Sequence, residues 1–144
     1  MDDIGEVYFL AKCMELGLSV SKPFKPMKYD FIVDNGTDLL KVQCKRTASS
    51  KRTQEGFDTY YLKCASGSKQ KQRYTKEQID ILAIYCDPIG AWYIIPIEDA
   101  GEKLSMYLYP HRSLLGDFSV GQHEAHFNRW VNLTNPRRAE IAKR

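Results

Sequence analysis

Two short runs of the chain carry polar side chains whose types and spacing suit work on a phosphate: Tyr29-Asp30-Phe31-Ile32-Val33-Asp34 and Leu39-Leu40-Lys41-Val42-Gln43-Cys44-Lys45. Side chains alternate between faces on an extended strand. In the second run Leu40, Val42 and Cys44 share one face, and Lys41, Gln43 and Lys45 share the other. In the first run Tyr29, Phe31 and Val33 lie together and Asp30 stands opposite them. Asn35-Gly36 between the runs is a hairpin turn signal. Pairing them brings Asp30, Gln43 and Lys45 onto one patch, where a carboxylate, an amide oxygen and an ammonium can hold a divalent cation and a water beside a phosphate. Each residue also has a plainer reading: Asp30 as a surface ion pair with Lys28 or Lys45, Gln43 as an ordinary outward strand residue. Their coincidence on aligned faces favours a site.

The elements that must position these residues follow from periodicity. Residues 2–17 read as a helix with Ile4, Val7, Ala11 and Met14 at helical spacing, Asp2 and Asp3 at its positive end, and Gly17 as its stop. Phe9 and Leu16 fall on its far side. A short strand at 18–20 and an irregular stretch with Pro23 and Pro26 lead to strands at about 28–34 and 38–46. Residues 47–56 and 65–74 read as polar loops flanking a strand at 57–64. Thr75 opens a capping-box turn. The apolar run 79–86 has the pattern of a strand buried on both faces, and 91–97 is another strand. A short helix at 97–103, a short strand at 105–109 and a helix at 122–131 with Phe127 and Trp130 inward complete the chain. A central mixed β-sheet flanked by helices, class α/β (α+β), is the architecture this order predicts.

The 144 residues suit one domain, with a basic tail from about residue 135 expected to be mobile. No apolar run approaches the roughly 20 residues of a membrane span. The acidic start Met1-Asp2-Asp3 does not resemble a targeting peptide, so an intracellular, cytoplasmic protein is expected. Cys13, Cys44, Cys64 and Cys86 form no Cys-x-x-Cys pair and read as buried reduced thiols. Net charge is +3, but residues 41–76 hold ten Lys/Arg against Glu55 and Asp58, which is +8 and leaves −5 for the rest. Such asymmetry suits a polyanionic partner.

Glu6 on a first helix, Asp30 on a strand and Gln43-Cys44-Lys45 on the next strand resemble the core of the PD-(D/E)XK nuclease superfamily. The later run from Tyr74-Thr75 through Ile79-Asp80-Ile81-Leu82-Ala83-Ile84-Tyr85 to Trp92-Tyr93-Ile94-Ile95-Pro96 is similar to its branch of small cyanobacterial group I intron homing endonucleases, in which glutamine replaces the second acid. The resemblance covers about residues 2–110. It implies a restriction-endonuclease-like core and Mg2+-dependent hydrolysis of phosphodiester bonds in double-stranded DNA, with Mn2+ as a substitute cation. It implies Asp30, Gln43, Glu6 and the backbone carbonyl of Cys44 as metal ligands, and Lys45 as the group that orients water and offsets charge on the phosphate. Glu6 lies roughly 100° round the helix from the centre of the expected apolar stripe. Pro26 does not directly precede the Tyr29-Asp30 pair, and Gln43 removes one negative charge. That charge loss leaves a catalytically inactive DNA-binding protein as a rival; a junction-resolving or restriction-type nuclease and an RNA-binding module are the others.

The two basic loops flank the candidate site. Arg46, Lys51, Arg52, Lys63, Lys69, Lys71 and Arg73 are the expected DNA contacts, mostly to phosphates. A β-ribbon built from strand 57–63 would fit a major groove. Cutting both strands needs two sites, so a homo-oligomer is expected, dimer at least, and a tetramer by the resemblance. His123 and His126, three apart, lack a third ligand and read as packing residues rather than a metal site.

Overall fold

The computed structural model of the chain describes residues 3–48, 50–52, 58–63, 65–66, 72–87, 89–100 and 105–137. Helix α1 spans Asp3–Glu15. It stops where Gly17 takes φ +73°, which lets the Leu18 N–H reach back to the Cys13 carbonyl at 2.9 Å, a wrap that needs a left-handed residue. Its buried face is the row Gly5, Phe9 and Cys13. The expected stripe points outward instead: Ile4, Val7 and Met14 are 49, 58 and 69% exposed. Gly5 and Cys13 are small, so the helix lies close on its sheet and Phe9 fills the space between, its ring 5.4 Å from Phe31 and 5.7 Å from Trp92.

The strands are β1 (Ser19–Ser21), β2 (Phe31–Asp34), β3 (Leu39–Thr47), β4 (Ser50–Arg52), β5 (Asp58–Lys63), β6 (Ala65–Ser66), β7 (Gln72–Arg73), β8 (Ile81–Cys86), β9 (Ala91–Pro96) and β10 (Ser105–Leu108), followed by helices α2 (Pro110–Leu114) and α3 (Val131–Thr134). The central sheet has the order β1-β2-β3-β8-β9. Its β3/β8 pair is parallel and its other pairs are antiparallel. This is the expected mixed sheet. Phe9, Phe31, Val33, Val42, Cys44, Ala83, Trp92, Ile94 and Leu133 pack together beneath α1 and α3. On the opposite face, Leu82, Ile84, Tyr93 and Ile95 meet Tyr60, Leu62, Met106 and Leu108, which belong to a second sheet of order β10-β5-β4. With both faces covered, β8 and β9 are apolar nearly throughout.

Local readings failed where tertiary pairing decided the backbone. Residues 50–52, expected as loop, form the edge strand β4 against β5; polar, basic composition is usual in an edge strand and hides it from sequence. Within the second expected loop, β6 pairs with β7, and 67–71 lie outside the described residues. The helix expected over 122–131 is broken. A 3-10 turn covers Glu124–His126, Phe127 bridges to Tyr93, and Asn128 has φ +49°. Asn128 exchanges bonds with Trp92 through its N–H at 2.7 Å and its side-chain oxygen at 3.0 Å, so β9 captures the segment. Phe127 and Trp130 do pack inward, on opposite cores. Only a 3-10 turn, Ile97–Asp99, stands in the helix expected over 97–103, of which 101–104 lie outside the described residues. Helix α2 was not expected, although Pro110 at its first position is a start signal.

The hairpin loop occupies residues 35–38. Asn35 accepts the Thr37 and Asp38 N–H groups on its side-chain oxygen at 2.9 and 2.8 Å, and donates its amide to the Leu133 carbonyl at 2.8 Å. Cys13, Cys44 and Cys86 are buried free thiols, as expected; burial pushes Cys13 up to about 12, which keeps it unreactive. Cys64 lies outside the described residues. Among the described residues no helix is long and apolar enough to cross a membrane.

Candidate active site

The site forms where β2 runs out. The ladder starts at Phe31 opposite Val42, and one residue earlier the Asp30 N–H donates to the Val42 carbonyl at 2.9 Å. The next free donor on that edge of β3 is the Cys44 N–H. No strand carbonyl meets it; the Asp30 carboxylate accepts it at 2.9 Å. Backbone N–H groups point within the plane of a sheet, so this carboxylate lies in the sheet plane and continues the ladder with a side chain. The N–H and C=O of one strand residue share an edge, so the Cys44 carbonyl emerges beside Asp30. Gln43 donates its side-chain nitrogen to that carbonyl at 3.3 Å. Asp30, Gln43 and Cys44 therefore gather round one peptide unit, and Gln43 is 8% exposed.

One expectation about this edge is corrected. Tyr29 packs against the core under the second sheet, whereas Phe31 belongs to the core under α1. Residues two apart thus face opposite ways, and the alternation reverses at Asp30. That irregularity is what turns the Asp30 side chain into the sheet plane. On β3 the alternation holds: Val42 and Cys44 face α1, and Gln43 lies across from Leu82.

Glu6 arrives from α1. With Gly5, Phe9 and Cys13 as the buried row, it stands about 60° from the row's centre at ~100° per residue, nearer the sheet than the outward stripe implied. Its carboxylate pairs with the Lys22 ammonium at 3.2 Å. Asp30 is held above the usual carboxylate range, chiefly by burial and further by the charge of Glu6, while the Cys44 N–H and Lys22 act in the opposite sense. The Cys44 thiol is raised by burial and then by the charges of Asp30 and Glu6. Both shifts carry the influence of the Glu6 charge on this edge. Glu6, Val7, Leu10, Lys22 and Phe31 line an open cleft of about 260 Å3.

Lys45 stands two residues beyond Gln43 on the same face of β3. Its ammonium lies 5.6 Å from the centre of the Tyr74 ring, and Tyr74 is part of the core under the second sheet. The structure gathers Glu6, Asp30, Gln43 and Cys44 at one strand edge, with Lys45 over Tyr74 on the face of β3 that Gln43 shares. Lys22 was missed by sequence reasoning. It sits in an irregular stretch between Ser21 and Pro23, where no period or motif marks a residue.

The donor set suits a hard cation. Among the described residues no group of three or more His, Cys, Asp or Glu side chains can hold a metal ion; here two carboxylates are supplemented by an amide and a main-chain carbonyl, which are oxygen donors of the kind magnesium takes. His123 and His126 are both buried, and His126 lies 3.3 Å from the Asp99 carboxylate, in agreement with a packing role. Of the expected DNA contacts, Arg46 is paired with Asp87, its Nε donating at 2.8 Å. Arg73 is exposed on β7. Lys51 and Arg52 fall on β4 and Lys63 ends β5, so a ribbon does carry them; Lys69 and Lys71 lie outside the described residues.

A family model for PD-(D/E)XK endonucleases matches residues 1–113, a span that contains Glu6, Asp30, Gln43 and Lys45. The chain belongs to the PD-(D/E)XK endonuclease family. Nucleases of this family generally use divalent metals. Among solved structures, a bacterial homing endonuclease, I-Ssp6803I, aligns with this PD-(D/E)XK endonuclease at a TM-score of 0.76 and 17% identity, covering 96% of this chain and 94% of that one. At that identity the likeness is one of fold. Hjc, a Holliday junction resolvase from the archaeal hyperthermophile Archaeoglobus fulgidus, aligns at a TM-score of 0.44 and 16% identity over 79% of this chain and 94% of its own. No curated protein matches the chain.

Proposed function

We propose that this PD-(D/E)XK protein is a Mg2+-dependent endonuclease that hydrolyses double-stranded DNA at a specific site, in the manner of a homing enzyme, with all 144 residues acting as one domain. The observation that carries the reading is the convergence of Asp30, Gln43 and the Cys44 peptide at the end of β2, with Glu6 brought alongside by α1. The fold shared with a homing endonuclease supports the homing type. Mg2+, or Mn2+ in its place, supplies Lewis-acid polarisation of a phosphate oxygen and a water of lowered pKa when bound. Asp30 and Glu6 would hold the cation, with the Cys44 carbonyl and the Gln43 amide oxygen as further donors. The Cys44 N–H fixes the Asp30 carboxylate. Lys45, on its four-carbon stem, offers positive charge to the crowded phosphate. Glu6 and Asp30 both being retained favours catalysis over a silent DNA-binding scaffold, the reading that Gln43 alone would support.

The direct test is incubation of supercoiled plasmid and of a randomised duplex library with the purified protein. Cleavage with Mg2+ and none with EDTA is the expected result. A library that is bound yet left uncut under Mg2+ and Mn2+ would replace the endonuclease with a silent binder. Preferential cutting of four-way junctions over linear duplex would make it a resolvase.

Two subunits are needed for two strands, and α1 offers the contact surface: Ile4, Val7 and Met14 form an exposed apolar stripe, larger in combination than a lone surface hydrophobe. We propose a homodimer or tetramer. Sedimentation equilibrium should return a multiple of the chain mass; a single-chain mass, with and without DNA, would remove the assembly.

A further inference from the structure

The Lys22 ammonium stands on the solvent side of Glu6. It lies 3.2 Å from the Glu6 carboxylate and 5.4 Å from the centre of the Phe31 ring, and Phe31 directly follows Asp30. Glu6 is sheltered, with 17% of its side chain exposed, while Lys22 is 65% exposed. A long, exposed, flexible cation therefore leans on a fixed, half-buried anion at the mouth of the cleft those residues line.

We propose that Lys22 is a built-in counter-cation of the Glu6–Asp30 pair, which a divalent ion must displace from Glu6, so that Lys22 sets the metal affinity of the site. This rests on the reading of that edge as the metal site. The charge arithmetic explains why a displaceable lysine suits it. Two carboxylates carry −2 and Gln43 adds nothing, so a lysine halves the charge that a cation meets. An ion pair this open to solvent is weak, so Lys22 tunes affinity without closing the site. Displacement also frees the ammonium at the cleft mouth, where it adds to the positive field that a phosphate chain meets. Lys22 is a positioning and tuning residue in this account, separate from the groups that hold the ion.

The test reads metal binding without DNA or turnover. Free Mn2+ is titrated against the full chain and followed by its electron paramagnetic resonance signal. Lys22→Met should bind Mn2+ roughly two- to fivefold more tightly than the parent, the range set by an exposed ion pair. Lys22→Arg should stay near the parent. Lys25→Met removes the same unit charge from the same irregular stretch and should leave affinity unchanged, which separates a local pair from overall charge. Unchanged or weaker binding by Lys22→Met overturns the inference, as does equal tightening by Lys25→Met. The two readings fail differently. If Asp30→Asn abolishes Mn2+ binding while Lys22→Met leaves it at the parental value, the metal site stands and Lys22 has no part in it. If Asp30→Asn binds Mn2+ as the parent does, or no chain binds it, the metal site falls and Lys22 with it.

Discussion

Asp30→Asn should leave a folded protein that binds duplex DNA and cuts it at least about a thousandfold more slowly, a loss of ~4 kcal/mol or more at ~1.4 kcal/mol per tenfold in rate. The choice of asparagine matters. Asp30 does two jobs: its charge serves a cation, and its oxygen satisfies the buried Cys44 N–H at 2.9 Å. Asparagine keeps an oxygen for the N–H and discards the charge. It also removes the like-charge pressure between Asp30 and Glu6, one of the causes that hold Asp30 above its usual range. Asp30→Ala discards both functions and strips the Cys44 N–H of its partner, at about 1 kcal/mol of stability or more. The pair of variants therefore separates chemistry from scaffold. Both should be inactive, and only alanine should lower the urea midpoint. DNA binding is measured by gel shift with EDTA present, and cleavage is measured with Mg2+. Parental cleavage by purified Asp30→Asn would refute the assigned site.

The second large effect lies far from that edge. Glu124 is 0% exposed. Its carboxylate accepts bonds from the Tyr93 hydroxyl, from Ser113 Oγ at 2.8 Å and from the Tyr109 N–H at 3.2 Å. Burial and then the Glu124 charge push the Tyr93 phenol far above its ordinary value, so it stays protonated and donates. Three elements thus close on one side chain: β9, α2 and the 3-10 turn that carries it. The packing is tight enough that a Cβ at Gly121 would sit 2.6 Å from the Tyr109 ring and 3.1 Å from Glu124 Oε2. Glu124→Ala leaves the buried Tyr93 and Ser113 hydroxyls and the part-buried Tyr109 N–H unpaired, the buried ones at about 1–3 kcal/mol each, so the unfolding free energy should fall by about 3 kcal/mol. Out of a typical total of ~5–15 kcal/mol that is a large share. Glu124→Gln retains an oxygen for Tyr93 and Ser113 and turns its NH2 group toward the Tyr109 N–H, and should lose less. Urea unfolding followed by circular dichroism reads both; an alanine variant within ~0.5 kcal/mol of the parent would mean the network contributes nothing.

Much of the site was readable because β3 obeys a strict rule. An extended strand alternates, and Val42 and Cys44 against Gln43 and Lys45 follow from that alone. The buried run 79–86 was readable for the same kind of reason, since apolar residues with no polar alternation need cover on both faces. What was lost was lost to contacts between distant segments. Helix α1 carries apolar residues round most of its circumference, so spacing could not choose between the outward Ile4-Val7-Met14 stripe and the inward Gly5-Phe9-Cys13 row. Size decided it, because small residues let the helix approach the sheet. The alternation that put Tyr29 with Phe31 failed at Asp30, where the ladder ends and a side chain takes over. Asn128 broke an expected helix because β9 offered it two bonds. Lys22 had no local signature, since only the folded chain brings it to Glu6.

That side chain standing in for a rung makes the hairpin a ruler. Asp30 meets Cys44 only because Phe31 is opposite Val42, and that correspondence is indexed by the loop at the far end, where Asn35 ties residues 37 and 38 to itself and to the Leu133 carbonyl. Sliding one strand past its neighbour by a single residue would turn its side chains to the opposite face and carry the acid away from its peptide. The length of a surface loop that begins five residues beyond Asp30 therefore measures out where the charge stands.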